Sequence, residues 1–334
     1  MEKFDLIYIM LGFKCNFDCV YCLQEEQTKE EQKVTVSEKV YEFLDKYPHK
    51  ETTRLCFFGG EPLLYFPVIK EIVERYKGSY RYSVISNGSL LTKTHVDFFN
   101  KYEVHFTLSH DANITIRTRG YDVWNNPEIR QCFDELKNKS INVTVTSNSL
   151  PLKEIFAFYP DHIPLNLNYM MNVNGKIISK KLADFSNYKR YGDDIHYLLQ
   201  SYDEGKWREM QNVDNLIKTM YAFMTDKDRD VRCYECVYGA KTLNIDLEGN
   251  IAFCHNSAVK VGSVEKMDET ITQKTKAIIR HTRRECVSCE YGEFCGGSCS
   301  LLKGIGKGQN CMRLKTLYKI LLPWVVKKGL GTYA

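Results

Sequence analysis

Three cysteines fall within the eight residues Cys15-Asn16-Phe17-Asp18-Cys19-Val20-Tyr21-Cys22, with three and then two residues between them. Closed structural zinc sites and ferredoxin-type clusters take four ligands. Three thiolates hold three irons of a [4Fe–4S] cube and leave the fourth without a protein ligand, and an open coordination position marks a catalytic metal. The amino and carboxylate groups of S-adenosylmethionine suit that iron. An electron passed into the sulfonium would then break a C–S bond and give a 5′-deoxyadenosyl radical. Taken alone, the motif leaves a second possibility, a zinc or redox site that borrows a distant fourth cysteine.

The chain spends 13 cysteines on 334 residues, and all but Cys56 and Cys132 lie in two groups, 15–22 and 233–311. The N-terminus has neither the basic start nor the cleavage site of a signal peptide, and its apolar run is too short to span a membrane, so a cytoplasmic protein without membrane attachment is expected. Thiols stay reduced there, and clustered cysteines point to metal or redox chemistry before disulfides. A net charge of +4 with no long basic run gives no footprint for nucleic acid. Cys56, in the run Leu55-Cys56-Phe57-Phe58, and Cys132, in a helical pattern, are expected to be packed core thiols.

The second group reads Cys233-x2-Cys236-x12-Gly249-x4-Cys254, then Cys286-x2-Cys289-x5-Cys295-x3-Cys299, then Cys311. Eight thiolates suffice for two closed four-cysteine clusters. Zinc knuckles are the alternative on spacing alone.

Elements must position these groups. Apolar, β-rich runs at 6–11, 55–58, 80–85, 104–108, 141–146 and 165–170 alternate with helical patterns at 37–47, 67–76, 92–100 and 126–138, with Ser37 and Thr92 as N-caps. Six such units imply an α/β fold with a parallel sheet, most simply a partial (β/α)6 TIM-like barrel, whose function sits on the loops after the strands. The first cysteine group follows the first strand. The expected organisation is a barrel over 1–185, a helical bridge over 186–230, a Cys-rich auxiliary iron–sulfur domain over 231–315 folded around metal, and a tail over 316–334. Within that tail, Leu314–Val326 is an apolar helix interrupted by Pro323 that docks on the protein.

After the second strand come Gly59-Gly60-Glu61-Pro62, in which paired glycines allow close backbone approach and Glu61 can accept from a cationic amine. In this order the set resembles the radical S-adenosylmethionine (radical SAM) superfamily, whose hallmark is CxxxCxxC with an aromatic, here Tyr21, before the third cysteine. The resemblance implies that Cys15, Cys19 and Cys22 hold the catalytic cluster and that Gly59, Gly60, Glu61 and Pro62 match the GGEP motif at the methionyl amino group. Ser86-Asn87-Gly88 is similar to the family's TNG. Ser109-His110-Asp111 is similar to SLD, implying ribose contacts for Ser109 and Asp111. Arg119, or Arg117 as the other candidate, would bind the cofactor carboxylate. The second cysteine group resembles the SPASM domain of peptide-modifying and anaerobic sulfatase-maturing enzymes, with Gly262-Ser263-Val264 at its GNI turn. That resemblance implies one auxiliary cluster on Cys233, Cys236, Cys254 and Cys299 and another on Cys286, Cys289, Cys295 and Cys311. Three [4Fe–4S] clusters and S-adenosylmethionine are then the expected cofactors.

The substrate expected from this resemblance is a peptide, modified oxidatively by crosslinking or dehydrogenation as in ribosomal peptide maturation. Sulfatase-maturase-like or small-molecule dehydrogenation remains the alternative. The chain opens on its first strand where many such enzymes carry a leader-recognition domain, so either a separate recognition protein or a short substrate is expected, along with a flavodoxin or ferredoxin as electron donor. His255 stands where sulfatase-maturing relatives carry an aspartate base. It reads as a proton acceptor, as a tuner of the auxiliary cluster, or as a plain polar loop residue.

Overall fold

In a computed structural model of the chain, the residues described are 3–24, 34–172, 182–184, 188–225, 242–252, 254–256, 259–267, 286, 288–295, 302 and 304–328. Cys233, Cys236 and Cys299, with the roles expected of them, lie outside the described residues. The chain divides into two compact units, the first made of Met1–His110, Thr115–Ile141 and Val237–Arg280, the second of Asp111–Ile114, Asn142–Cys236 and His281–Ala334.

All six expected strands form: β1 Leu6–Met10, β2 Arg54–Phe58, β3 Arg81–Ser86, β4 His105–Ser109, β5 Lys139–Val145 and β6 Leu165–Tyr169. Between them run α1 Glu38–Lys46, α2 Phe66–Arg75, α3 Lys93–Lys101, α4 Thr115–Arg119, α5 Pro127–Glu135 and α6 Leu152–Phe158. Expected N-caps behave differently. The Thr92 backbone N–H donates to His95 Nδ1 at 3.1 Å, whereas Ser37 precedes α1 with no side-chain cap bond and is tied instead by its N–H to the Leu247 carbonyl. Cys56 is buried as expected, but Cys132 is only half-buried, because its position on α5 falls beside the buried stripe of Ile129 and Phe133.

In the first unit, β1 to β4 are parallel, and β7 Thr242–Asp246 joins them parallel to β1, followed by antiparallel β8 Asn250–Ala252 and β9 Lys260–Ser263. Residues 242–267 therefore depart from the expected metal-organised loop: Leu243, Ile245 and Ile251 sit in an apolar core. Register neighbours Ile245, Ile9, Phe57, Val84 and Phe106 form one fully buried row. Helices cover that face, with Phe99 of α3 and Phe133 of α5 against Phe106 at ring-centroid distances of 5.8 and 6.4 Å. The opposite face carries Tyr8, Met10 and Cys56.

In the second unit, α7 Tyr188–Asp203 and α8 Trp207–Thr225 pack together, and α10 Gly304–Lys328 packs on both. A short helix, α9 Gly292–Cys295, precedes α10. Leu314, Leu317, Tyr318, Leu321 and Val325 form the buried stripe of α10. The helix runs unbroken through Pro323, contrary to the interruption expected, since packing on both sides of the proline offsets one lost backbone bond. Pro323→Ala should restore that bond at an exposed position and stabilise the chain by about 1–3 kcal/mol. The thermal unfolding midpoint, read by circular dichroism, would rise by several degrees. Among the described residues, no helix is long and apolar enough to cross a membrane.

Candidate functional site

The loops after β1, β2 and β3 meet at one edge of the first unit's sheet, where a parallel sheet places its functional groups. The β2 loop extends the pairing of the two strands. Leu11 N–H donates to the Phe58 carbonyl at 2.9 Å, Gly60 N–H to the Gly12 carbonyl at 2.8 Å, and Glu61 N–H to the Lys14 carbonyl at 2.9 Å. A Cβ on Gly60 would collide with the carbonyl oxygens of Phe13 and Lys14. Glycine is required there because one backbone lies directly on the other.

Glu61 is fully buried, and both its oxygens are engaged within the protein. Oε1 accepts from Ser86 Oγ at 2.7 Å and Leu63 N at 2.9 Å, and Oε2 accepts from Asn87 N at 2.8 Å. Burial pushes its carboxyl above the usual range, while these bonds pull it down. Pro62 opens the short buried turn that follows. Through Glu61 the β2 loop grips the turn after β3, and that turn grips the cysteine loop. Asn87 Nδ2 donates to Asn16 Oδ1 at 2.9 Å and lies 4.0 Å from Cys15 Sγ, while Asn16 Nδ2 donates to Ser89 Oγ at 2.8 Å. Asn16 and Ser89 were not singled out from sequence, where polar turn residues read as ordinary caps.

Cys15, Cys19 and Cys22 are all half-buried on this loop, with the Cys22 N–H donating to the Cys19 carbonyl at 2.9 Å. Among the described residues no three His, Cys, Asp or Glu side chains are gathered around a point that would hold one metal ion. A cubane asks for something else, one thiolate at each of three separate corners, and a single loop bearing three accessible thiols fits that demand.

The far side of the loop is fixed by α4: Val20 N–H donates to the Thr118 carbonyl at 3.0 Å, and the Arg119 guanidinium lies over the Tyr21 ring at 5.5 Å. Arg119 is buried against the loop and Arg117 is exposed. Ser109 ends β4, half-buried; His110 lies 2.9 Å from Asp122 Oδ1. Asp111 belongs to the second unit, where its Oδ1 accepts from Thr144 N at 3.0 Å.

Cys254 is buried after β8. The adjoining His255 ring stacks on Tyr8 at 4.6 Å and meets Phe58 edge-on at 5.0 Å. Burial pushes its pKa down to about 4, so the imidazole is neutral near pH 7. In the second unit Cys286, Cys289 and Cys295 are half-buried around α9, with Cys289 N–H donating to the Cys286 carbonyl at 3.3 Å, and Cys311 is exposed on α10.

Comparison with known proteins agrees with this geometry. The model of the radical SAM superfamily matches residues 9–155. The radical SAM cyclopropyl synthase TigE of Paramaledivibacter caminithermalis is 24% identical over 89% of this chain and 68% of its own length. A GTP 3′,8-cyclase of Pseudomonas savastanoi is 26% identical over about a third of each chain. Among solved structures, anSMEcpe with bound AdoMet and the Cp18Cys peptide superposes with a TM-score of 0.74 at 15% identity, over 96% of this chain and 97% of that one. Streptococcus suis SuiB bound to its precursor peptide SuiA gives 0.63 at 16% identity, over 90% and 73%. At such identities the structural likeness speaks for the fold, a partial TIM-like α/β barrel. The matching superfamily model lies over the three-cysteine loop and the strands that carry it, and identifies residues 9–155 as a radical SAM domain.

Proposed function

We propose that the protein oxidatively modifies a peptide, using S-adenosylmethionine and three [4Fe–4S] clusters. The observation that carries this reading is the three-cysteine loop, clamped between Gly60 and Glu61 on one side and Asn87 on the other. When bound, a cluster on Cys15, Cys19 and Cys22 together with S-adenosylmethionine supplies a 5′-deoxyadenosyl radical for hydrogen abstraction. The chain's own residues hold and orient. Gly59 and Gly60 bring backbone close, Glu61 and Pro62 fix the turn, Ser86, Asn87 and Ser109 offer polar groups to the cofactor, and Arg119 with Tyr21 closes the loop's outer side.

The reading extends to the organisation expected from sequence, a barrel over 1–185, a bridge over 186–230, an auxiliary-cluster domain over 231–315 and a tail. Eight cysteines there, Cys233, Cys236, Cys254, Cys286, Cys289, Cys295, Cys299 and Cys311, make two four-thiolate sets, which leave no iron open for substrate. Such clusters accept electrons, so the net reaction on substrate is a loss of two hydrogens. His255 beside Cys254 is neutral, and the burial that lowers its pKa to about 4 also makes it a weak proton acceptor. Peptides bound to anSMEcpe and SuiB support this substrate class, and the name of TigE, a cyclopropyl synthase, supports a bond-forming reaction. A separate recognition protein and a flavodoxin or ferredoxin would complete the system.

Two measurements test it. Anaerobically purified protein should be brown and carry about twelve irons per chain; a colourless zinc protein overturns the reading. A peptide encoded beside the gene, co-expressed with the enzyme, should lose two hydrogens per modification by mass spectrometry. An unchanged mass with an inverted stereocentre would overturn the oxidative part.

A further inference from the structure

The sheet face opposite the helices carries a polar row that the proposed chemistry leaves unused. Asn244 on β7, Tyr8 on β1, Cys56 on β2, Ser83 on β3 and His105 on β4 are register partners in turn, all in the first unit. In-register neighbours on parallel strands share a face, so the five side chains lie side by side. Inner layers of barrels are ordinarily filled by bulky branched residues. Polar members of such a layer need partners, and three have them: Cys56 and Ser83 bond to each other, and His105 Nε2 lies 2.8 Å from Ser140 Oγ.

Asn244 does not. It is 0% exposed, and neither its Oδ1 nor its Nδ2 has a hydrogen-bond partner. Leaving a neutral buried donor or acceptor unsatisfied costs about 1–3 kcal/mol each. An amide with both halves unsatisfied calls for a specific account, and a ligand that completes both bonds supplies one. The position suits a substrate. Met10, Phe58, Ile85 and Phe13 pack onto Tyr8 and Cys56. Phe13 leads into the cysteine loop and Phe58 into Gly59-Gly60, so the row lies next to the loops of the proposed radical site. The row itself carries no lysine, arginine or carboxylate. A carboxylate or phosphate would find no countercharge in it, and a hydroxyl would use Asn244 poorly. A donor and an acceptor side by side, as the N–H and C=O of one extended residue present them, match both halves.

We propose that Asn244 binds one extended residue of the peptide substrate, its Oδ1 accepting from that residue's N–H and its Nδ2 donating to that residue's carbonyl. The inference rests on the peptide reading above and deepens it. It assigns β7 the task of setting the depth at which the peptide lies under the three-cysteine loop, and hence which residue is presented to it.

The probe is N-acetylalanine N-methylamide, one residue with an amide on each side, added to the full-length, cluster-loaded protein. Soaked crystals should show its alanine N–H and C=O paired to Asn244, and saturation-transfer NMR should give binding that weakens about ten- to hundred-fold in Asn244→Leu and in Asn244→Asp. Asn244→Leu keeps the branched shape without burying a charge and so guards against a variant that fails to fold. Ordered water alone on Asn244 in the soaked crystals, or equal affinity in wild type and both variants, overturns the inference and leaves Asn244 a structural residue. The peptide reading fails differently, through a co-expressed peptide that wild type leaves unmodified. Equal modification by wild type and both variants would sink this inference alone.

Discussion

Replacing Cys15, Cys19 and Cys22 together by alanine should bring S-adenosylmethionine cleavage down to the background of the reductant, while iron falls from about twelve to about eight per chain. The two effects separate because the three thiols sit on a single loop after β1, whereas the cysteines proposed for the auxiliary clusters come from elsewhere in the chain. Formation of 5′-deoxyadenosine is read by chromatography and iron by colorimetric assay. Cleavage that persists in the triple variant would show that another metal does the work. Iron that vanishes entirely would show that the loop organises the whole protein.

Glu61→Gln should cost about 1–3 kcal/mol of stability and lower both cluster content and cofactor turnover by about tenfold or more. The carboxylate accepts from Ser86 Oγ, Leu63 N and Asn87 N, all donors. Glutamine offers one acceptor and one NH₂, so one of these donors must face another donor. Ser86 has little freedom to adapt, since its Oγ already accepts from Gly88 N at 2.9 Å. The disturbance then passes through Asn87 to Asn16 and the cysteine loop. Wild-type iron content and thermal midpoint in Glu61→Gln would contradict the clamp. A raised Michaelis constant for S-adenosylmethionine with normal iron would assign Glu61 to cofactor contact instead.

Much of this was legible from residue order. Apolar β-rich runs gave the six strands to within a residue or two at most ends, because each run is short, buried and bounded by polar turns. Motif spacing located the cysteine loop, Gly59–Pro62 and Ser86–Gly88 after their strands for the same reason. What could not be read is long-range. β7 pairs with β1 across most of the chain, and nothing in Thr242-Leu243-Asn244-Ile245-Asp246 says which strand it will join. Once that register is known, Asn244 falls beside Tyr8, and an unremarkable asparagine becomes a buried amide without a partner. The donors that Glu61 accepts from were hidden for a similar cause, since all three come from two loops that only the fold brings together. Pro323 shows the converse, a local breaker overruled by the packing of α10.

The central claim is that one iron on the three-cysteine loop is free to bind the cofactor. It is met most directly by electron–nuclear double resonance on the reduced, full-length protein with S-adenosylmethionine labelled at its amino nitrogen and carboxylate. Coupling between the labelled atoms and a cluster is the predicted result. A cluster with no such coupling, whose fourth corner is held by a protein side chain, would contradict the account.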